Sequence, residues 1–412
     1  MTNKKYKNPL NLFMYSIIIV QIGSIIRLQL DNTTIGNSLR IAGVAILLYS
    51  IFLQFNSKRK PHLSATMWLL LSWNTFNIIY TAMTSGINLT RTFGEEGYLL
   101  SFILPFMLLY DVRGIDMRKL FSFSLIFAIL AIVLIVLNFE YIIMANNLDF
   151  ITGVSNEIDR ASSMAQIPIM WSIPSAIIFM NSSFTKQKYV VTAFIAFILA
   201  TAFSMAFGRR STSMYGLVFL VFGAYIFIKN PEYSLKAKRR FIFFLTIFAI
   251  IAASISLSHF SYLFERGFED TRSSVNEAFL RDMSAFDYIF GRGLNGTYYD
   301  PMNIFDHINN RRPGHETGYL NLILHAGALF LIPYVLISIR AFYNGFFKSN
   351  NHLTKSFALY ILINTLMLLI GSYPTFNLRF FILWIGILLC NNQYLRSMNN
   401  AEIREIFKLE NR

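Results

Sequence analysis

Residues 120–144 read LFSFSLIFAILAIVLIVLNFEYIIM, a run in which the first charged residue, Glu140, is preceded by twenty uncharged positions. Twenty residues of α-helix rise about 30 Å, the thickness of bilayer hydrocarbon, so this run spells a membrane-spanning helix. Hydrocarbon offers no partner for backbone N–H and C=O groups, and only a helix satisfies them within one segment.

Runs of the same character recur at 9–28, 37–55, 63–84, 97–110, 162–181, 189–207, 212–229, 241–258, 317–339, 356–372 and 378–395, which predicts about twelve spans in all. The composition agrees, with 55% apolar and 14% charged residues and a mean hydropathy of +0.48. The expected fold is an all-α, polytopic integral membrane protein, one membrane domain over 1–412 with a single large loop at 259–316. The first run follows Lys4, Lys5 and Lys7 but lacks a small-residue cleavage site, so it reads as a span rather than a removable leader. Cys390, the single cysteine, rules out a disulfide framework and disfavours a thiolate metal site. The net charge of +14 is spread over segments flanking spans, which points to membrane lipids as partners and not to nucleic acid.

Threading the spans alternately with the amino terminus inside gives every inner segment at least two basic residues, and it puts the carboxyl terminus inside as well. All fourteen lysines then fall on the inner side. The basic residues of the outer side are arginines: Arg27, Arg40, Arg91, Arg160, Arg209, Arg210, Arg266, Arg272, Arg281, Arg292, Arg311, Arg312 and Arg379. The positive-inside bias depletes lysine and arginine alike, so arginines kept without lysines point to guanidinium geometry, which grips phosphate or carboxylate bidentately. Part of the set is expected to pair with loop carboxylates such as Glu265, Glu269, Asp270, Glu277, Asp282, Asp287 and Glu316. The remainder suffices for an anionic ligand at the outer membrane surface. The loop at 259–316, with six of these arginines, is the one outer segment long enough to fold over a substrate.

The turn GRRSTS at 208–213, the stretch FGRGLNG at 290–296 and the segment RPGHETGYLNLILHAGALFL at 312–331 together resemble the bacterial O-antigen polymerase and O-antigen ligase superfamily. The resemblance implies a GT-C-like glycosyltransferase of the bacterial inner membrane. Its donor would be an oligosaccharide on undecaprenyl diphosphate, with a chain-length regulator and a flippase of the same pathway as further partners. By the same resemblance His315 accepts a proton from the acceptor sugar, and Arg209 or Arg210 with Arg281 holds the diphosphate. Arg281 lies ten residues before Gly291 and twelve before Gly293, a departure from the family's arginine-to-glycine spacing. The other loop arginines, Arg266, Arg272, Arg292, Arg311 and Arg312, join the candidate diphosphate or glycan set, as do Glu316 and Tyr319.

The residues around His315 fit a base on their own account. Pro313-Gly314 breaks the chain just before a helix expected to start near Thr317, so His315 lies by a helix amino terminus, where the dipole disfavours positive charge. A neutral imidazole accepts a proton from a sugar hydroxyl, with Glu316 or another loop carboxylate to orient it. The alternative is a histidine that caps the helix. The expected reaction is direct displacement at the anomeric carbon, which inverts that centre; diphosphate leaves readily once arginines stabilise its charge, so no metal or other cofactor is expected. Asp31, the pair Glu157 and Asp159, and the group Asp306, His307, His315 and Glu316 have no recognisable metal-ligand spacing.

His325, within the tenth run, reads as hydrogen-bonded to a neighbouring helix, as do Asn74 and Asn77, and the prolines at 105, 168, 174 and 333 read as kinks. The tail NNAEIREIFKLENR at 399–412 is expected to form a short surface helix. A transporter or flippase for lipid-linked glycans is the rival function. It normally needs charges at mid-membrane depth and often an internal repeat, and the sequence offers neither. Between polymerase and ligase the sequence leans to polymerase, because similarity is diffuse outside the histidine segment.

Overall fold

The computed structural model describes residues 8–30, 33–57, 63–84, 98–138, 170–206, 210–229, 233–236, 238–243, 246–247, 250, 273–301, 310–371 and 373–409. Among them the chain is mostly helical, with one two-stranded hairpin. Among the described residues seven helices are long and apolar enough to cross a membrane: Pro9–Arg27, Thr33–Phe55, Met117–Leu137, Gln187–Ser204, Thr212–Lys229, Gly318–Phe347 and His352–Leu369. Of the other five expected spans, three are shorter apolar helices, Leu99–Leu109, Met170–Met180 and Leu378–Asn391, the run at 63–84 forms a helix over Ala65–Thr84 that is less apolar than those seven, and the run at 241–258 lies mostly outside the described residues. The protein is a membrane-embedded helical protein. It divides into two compact units, Met1–Ile115 with Asp270–Phe347 and Asn364–Gln393, and Asp116–Glu269 with Lys348–Ile363 and Tyr394–Arg412.

The first unit is built on a tight antiparallel pair, α1 (Pro9–Leu30) and α2 (Thr33–Phe55). Small residues set their approach: a Cβ on Gly23 would come within 2.7 Å of the Gly36 carbonyl, and one on Gly43 within 2.9 Å of the Ser16 carbonyl. Between membrane helices such close backbone contact takes the place of the hydrophobic drive. Next come α3 (Ala65–Thr84) and α4 (Tyr98–Ile103), the latter running into a 3-10 turn at Leu104–Leu109 that contains Pro105. Gln21 Oε1 accepts the Leu378 N–H at 3.0 Å, and Gln54 donates to the Leu109 carbonyl at 2.6 Å. Asn74 donates to the Phe102 carbonyl and Asn77 to the His325 carbonyl, as expected of polar residues in spans.

The second unit packs α5 (Met117–Leu137), α6 (Ala176–Met180), α7 (Gln187–Ala206) and α8 (Arg210–Lys229). Rings of Phe179, Phe194, Phe197, Phe219 and Tyr360 interlock in its core. The tail forms the expected helix over Asn400–Ile406, opened by an Asn399–Glu402 capping box, with Ile403 and Phe407 buried and Arg404 bonded to the Ser183 carbonyl.

The loop after residue 272 belongs to the first unit. It carries α9 (Ser273–Asp282), α10 (Ala285–Phe290), β1 (Tyr298–Tyr299) and β2 (Arg311–Arg312), and leads into α11 (Gly318–Phe347). At about 1.5 Å per residue α11 is longer than the hydrocarbon is thick, and it is broken at Gly327, whose φ is +67°. The expected boundary near Thr317 holds, since the Thr317 carbonyl accepts the first helical bond, from Asn321 N–H at 3.0 Å.

Candidate functional site

The loop elements fold around a small core of Phe279, Met283, Tyr298, Leu320 and Leu324, with Tyr319 packed beside them. α9 supplies buried Phe279, with Val275 packed beside it, the hairpin supplies Tyr298, and the first turns of α11 supply the leucines. The strands pair antiparallel, Tyr298 opposite Arg312 and Tyr299 opposite Arg311.

His315 is buried in this core. Its ring meets Phe279 edge-on at 5.0 Å between centroids and lies 5.8 Å from the Tyr298 ring. Nδ1 accepts the Thr317 backbone N–H at 3.0 Å, and the His315 N–H is accepted by Asn321 Oδ1 at 2.8 Å. The first N–H groups of a helix have no intrahelical acceptor, and the imidazole serves one of the donors at this start. A ring whose Nδ1 accepts a hydrogen bond carries its proton on Nε2 when neutral, so in this state His315 offers a donor there. Acting as a base through Nε2 requires the Thr317 N–H to let go of Nδ1 and the proton to change nitrogen.

The loop arginines divide into two kinds. Arg292 is enclosed by the loop itself: its guanidinium binds the Asp282 carboxylate, the Asp287 carboxylate at 2.9 Å and the Thr297 carbonyl at 2.8 Å. Burial works to raise the Asp282 carboxyl, but hydrogen bonds from Arg292 and the Tyr299 N–H, with the charges of Arg292 and Arg311, hold it below the ordinary carboxylate range. Arg312 spans the hairpin to the helix, bonded to buried Asp300 at 3.1 Å and to Glu316 at 2.9 Å. Glu316, expected to orient His315, is thus engaged with Arg312, while Asn321 and the Thr317 amide hold the histidine. Arg281 and Arg311 keep more exposed side chains, 82% and 50% accessible; Arg281 is hydrogen-bonded to Glu277 at 3.1 Å, and Arg311 lies 3.9 Å from Asp282.

Of the other expected site residues, Arg209, Arg266 and Arg272 lie outside the described residues, as do Asp31, Glu157, Asp159, Asp306 and His307. Arg210 opens α8 in the second unit. His325 Nδ1 lies 3.2 Å from the Gly293 carbonyl of the loop, and the His325 backbone carbonyl accepts from Asn77 of α3. Sequence reading missed Asn321 and Asp300. Asn321 was detectable as a polar residue six positions after His315 and four after Thr317, on the face that α11 turns inward.

No family model matches the chain, and no curated protein or solved structure matches it. Functional inference therefore rests on the chemistry of this loop. Its arrangement brings a proton-carrying imidazole nitrogen, held at a helix start, into one folded element with two exposed guanidinium groups.

Proposed function

We propose that the protein is a metal-independent, inverting membrane glycosyltransferase with a twelve-span, GT-C-like architecture. It joins glycans at the outer face of a bacterial inner membrane. The donor is an oligosaccharide on undecaprenyl diphosphate and the acceptor a sugar hydroxyl of a second lipid-linked unit, as in O-antigen or capsular polymerisation. In the reaction the acceptor oxygen bonds to the anomeric carbon, the bond from that carbon to the diphosphate oxygen breaks, and the acceptor proton is lost.

One observation carries this reading: His315 is fixed at the start of α11 inside an element whose Arg281 and Arg311 are left exposed. Arg281 and Arg311, the exposed arginines among the described loop residues, bind the departing diphosphate. Arg292 and Arg312 position the loop. His315 takes up the acceptor proton on Nδ1 after substrate displaces the Thr317 N–H from that nitrogen, and the pH dependence of turnover reads this step.

The break in α11 bears on the transporter alternative, since broken helices in carriers present free carbonyls to a coupling ion. Here the carbonyls of Leu324, His325 and Ala326 accept the Arg292 N–H at 2.7 Å, Asn77 Nδ2 at 3.0 Å and Trp73 Nε1 at 2.7 Å. That favours a structural use of the break, and the transferase reading stands ahead.

The test is the surface glycan of a deletion strain complemented with wild type, Arg281→Ala or His315→Ala, with membrane protein level measured in each. Long chains with wild type and single capped units with well-expressed variants support a polymerase. Free polymer unattached to lipid A core in the deletion strain makes the protein a ligase. Unchanged glycan on deletion removes both readings.

A further inference from the structure

The α10 helix, AFDYIF, lies in a segment that sequence reading assigns to an aqueous loop, yet it exposes bulky apolar side chains: Phe286 is 66% and Ile289 47% accessible. These are continuous with α3 through a file of rings. Phe286 stacks on Phe290 at 4.4 Å, Phe290 meets Trp73 at 5.6 Å, Trp73 stacks on Phe76 at 5.2 Å and Phe76 on Tyr80 at 6.2 Å.

The character of α3 identifies what surrounds this file. Its twenty residues carry no charge; its second half, the part the loop touches, buries Asn74, Asn77 and Thr81 and exposes Phe76, Ile79, Tyr80 and Met83, while its first half buries Met67, Leu70 and Leu71 and exposes Trp68 and Leu69. A helix with amides inside and large apolar residues outside faces hydrocarbon. The loop lies against the second half of that helix and not beyond its end. Phe290 sits beside Trp73, and the Leu294 N–H donates to Thr81 Oγ1 at 2.9 Å. The contact therefore covers about 12 Å of α3, from residue 73 to residue 81.

Irregular backbone survives at membrane depth only where its polar groups are satisfied within the protein. This segment meets that condition. Ser284 and Asp287 form a capping box, the Gly291 N–H bonds to the Asp287 carbonyl at 2.8 Å and the Arg292 N–H bonds to the Leu324 carbonyl at 2.7 Å. The one charge on α10, Asp287, is turned to Arg292. Gly291 and Gly327 permit the close approach: a Cβ on Gly291 would lie 2.6 Å from Ala326 N, and both residues have positive φ.

We infer that residues 285–294 form a re-entrant segment of the outer leaflet, with the Phe286 and Ile289 face of α10 in contact with lipid hydrocarbon. It holds the arginine-bearing loop down on the membrane, independently of which reaction that loop serves.

Spin labels at Phe286→Cys and Ile289→Cys, in a Cys390→Ala background reconstituted into phosphatidylcholine and phosphatidylglycerol vesicles, test this by collision with oxygen and with a water-soluble nickel chelate. Phe76→Cys is the lipid reference and Glu277→Cys the water reference. Positions 286 and 289 are expected to follow residue 76, with oxygen collisions exceeding nickel collisions several-fold. Ile289 lies outside the ring file and reads the same face if Phe286→Cys does not fold. The inference is overturned if the labels follow residue 277, or if they are shielded from both reagents, which would mean that protein covers the face.

Discussion

The backbone N–H of Thr317 is bonded to Nδ1 of His315 at 3.0 Å, so the histidine singled out for proton transfer also caps the helix behind it. The two roles are separable by substitution. His315→Asn keeps a side-chain acceptor near the Thr317 N–H, and His315→Ala does not. If capping were the whole role, the asparagine variant would retain function. Under the proposed reaction it melts within about 1 kcal/mol of wild type yet leaves glycans unjoined. Thermal unfolding in detergent, paired with glycan profiles, reads both.

Asn321→Leu strands the buried His315 N–H that its amide now accepts. The expected cost is about 1–3 kcal/mol, read as a lower melting temperature. Turnover falls with it, because the imidazole loses its register.

Arg292 neutralises two partly buried carboxylates, Asp282 and Asp287. Arg292→Met leaves them facing each other and should destabilise the loop by about 3 kcal/mol, whereas Arg281→Ala, at an exposed pair, should change stability by no more than about 0.5 kcal/mol. Proteolysis within 273–299 distinguishes them: rapid cleavage in the first variant, wild-type resistance in the second.

The same cluster sets an acid limit. The Asp282 carboxyl is held below its ordinary value when folded, so its stabilising contribution is complete above the unfolded pKa of about 4 and is lost as pH falls through the lower folded value. Hydrogen exchange of α9 and the hairpin should be flat from neutral pH down to about 5 after correction for intrinsic rates, then rise below about 4. A rise already between neutrality and that point would implicate a different group.

Gly327→Ala and Gly291→Ala should each abolish folded protein as judged by size-exclusion profiles. Both glycines have positive φ, and the added methyl groups would meet Ile289 and Ala326 backbone. Gly296→Ala, where φ is not positive, is the milder comparison.

The long spans were legible because hydropathy is local: a run such as 120–137 declares its environment without reference to the rest of the chain. Asn74 and Asn77 were legible as bonding residues for the same reason, since an amide in a span needs a partner. The break at Gly327 was not. HAGALFL reads as continuous helix, and what imposes the positive φ is the packing of residues 289–291, remote in sequence, against the helix. Pairing of arginines with acids was foreseen as a class, and Glu277, Asp282, Asp287 and Glu316 do pair. Which arginines would be consumed depended on a hairpin whose strands are two residues long, too short to announce themselves. The lipid-facing character of α10 was hidden for a similar reason, because six residues with an aspartate among them carry no periodic signal.

The most direct test of the transferase account uses purified protein in proteoliposomes containing the lipid-linked units that accumulate in the deletion strain, with a chelator present throughout. The account predicts that wild type joins the units and releases one undecaprenyl diphosphate per bond formed, and that folded His315→Ala and Arg281→Ala do so far more slowly. Persistence of the lipid-linked units unchanged with folded wild-type protein, or joining that occurs only when the chelator is omitted, would contradict it.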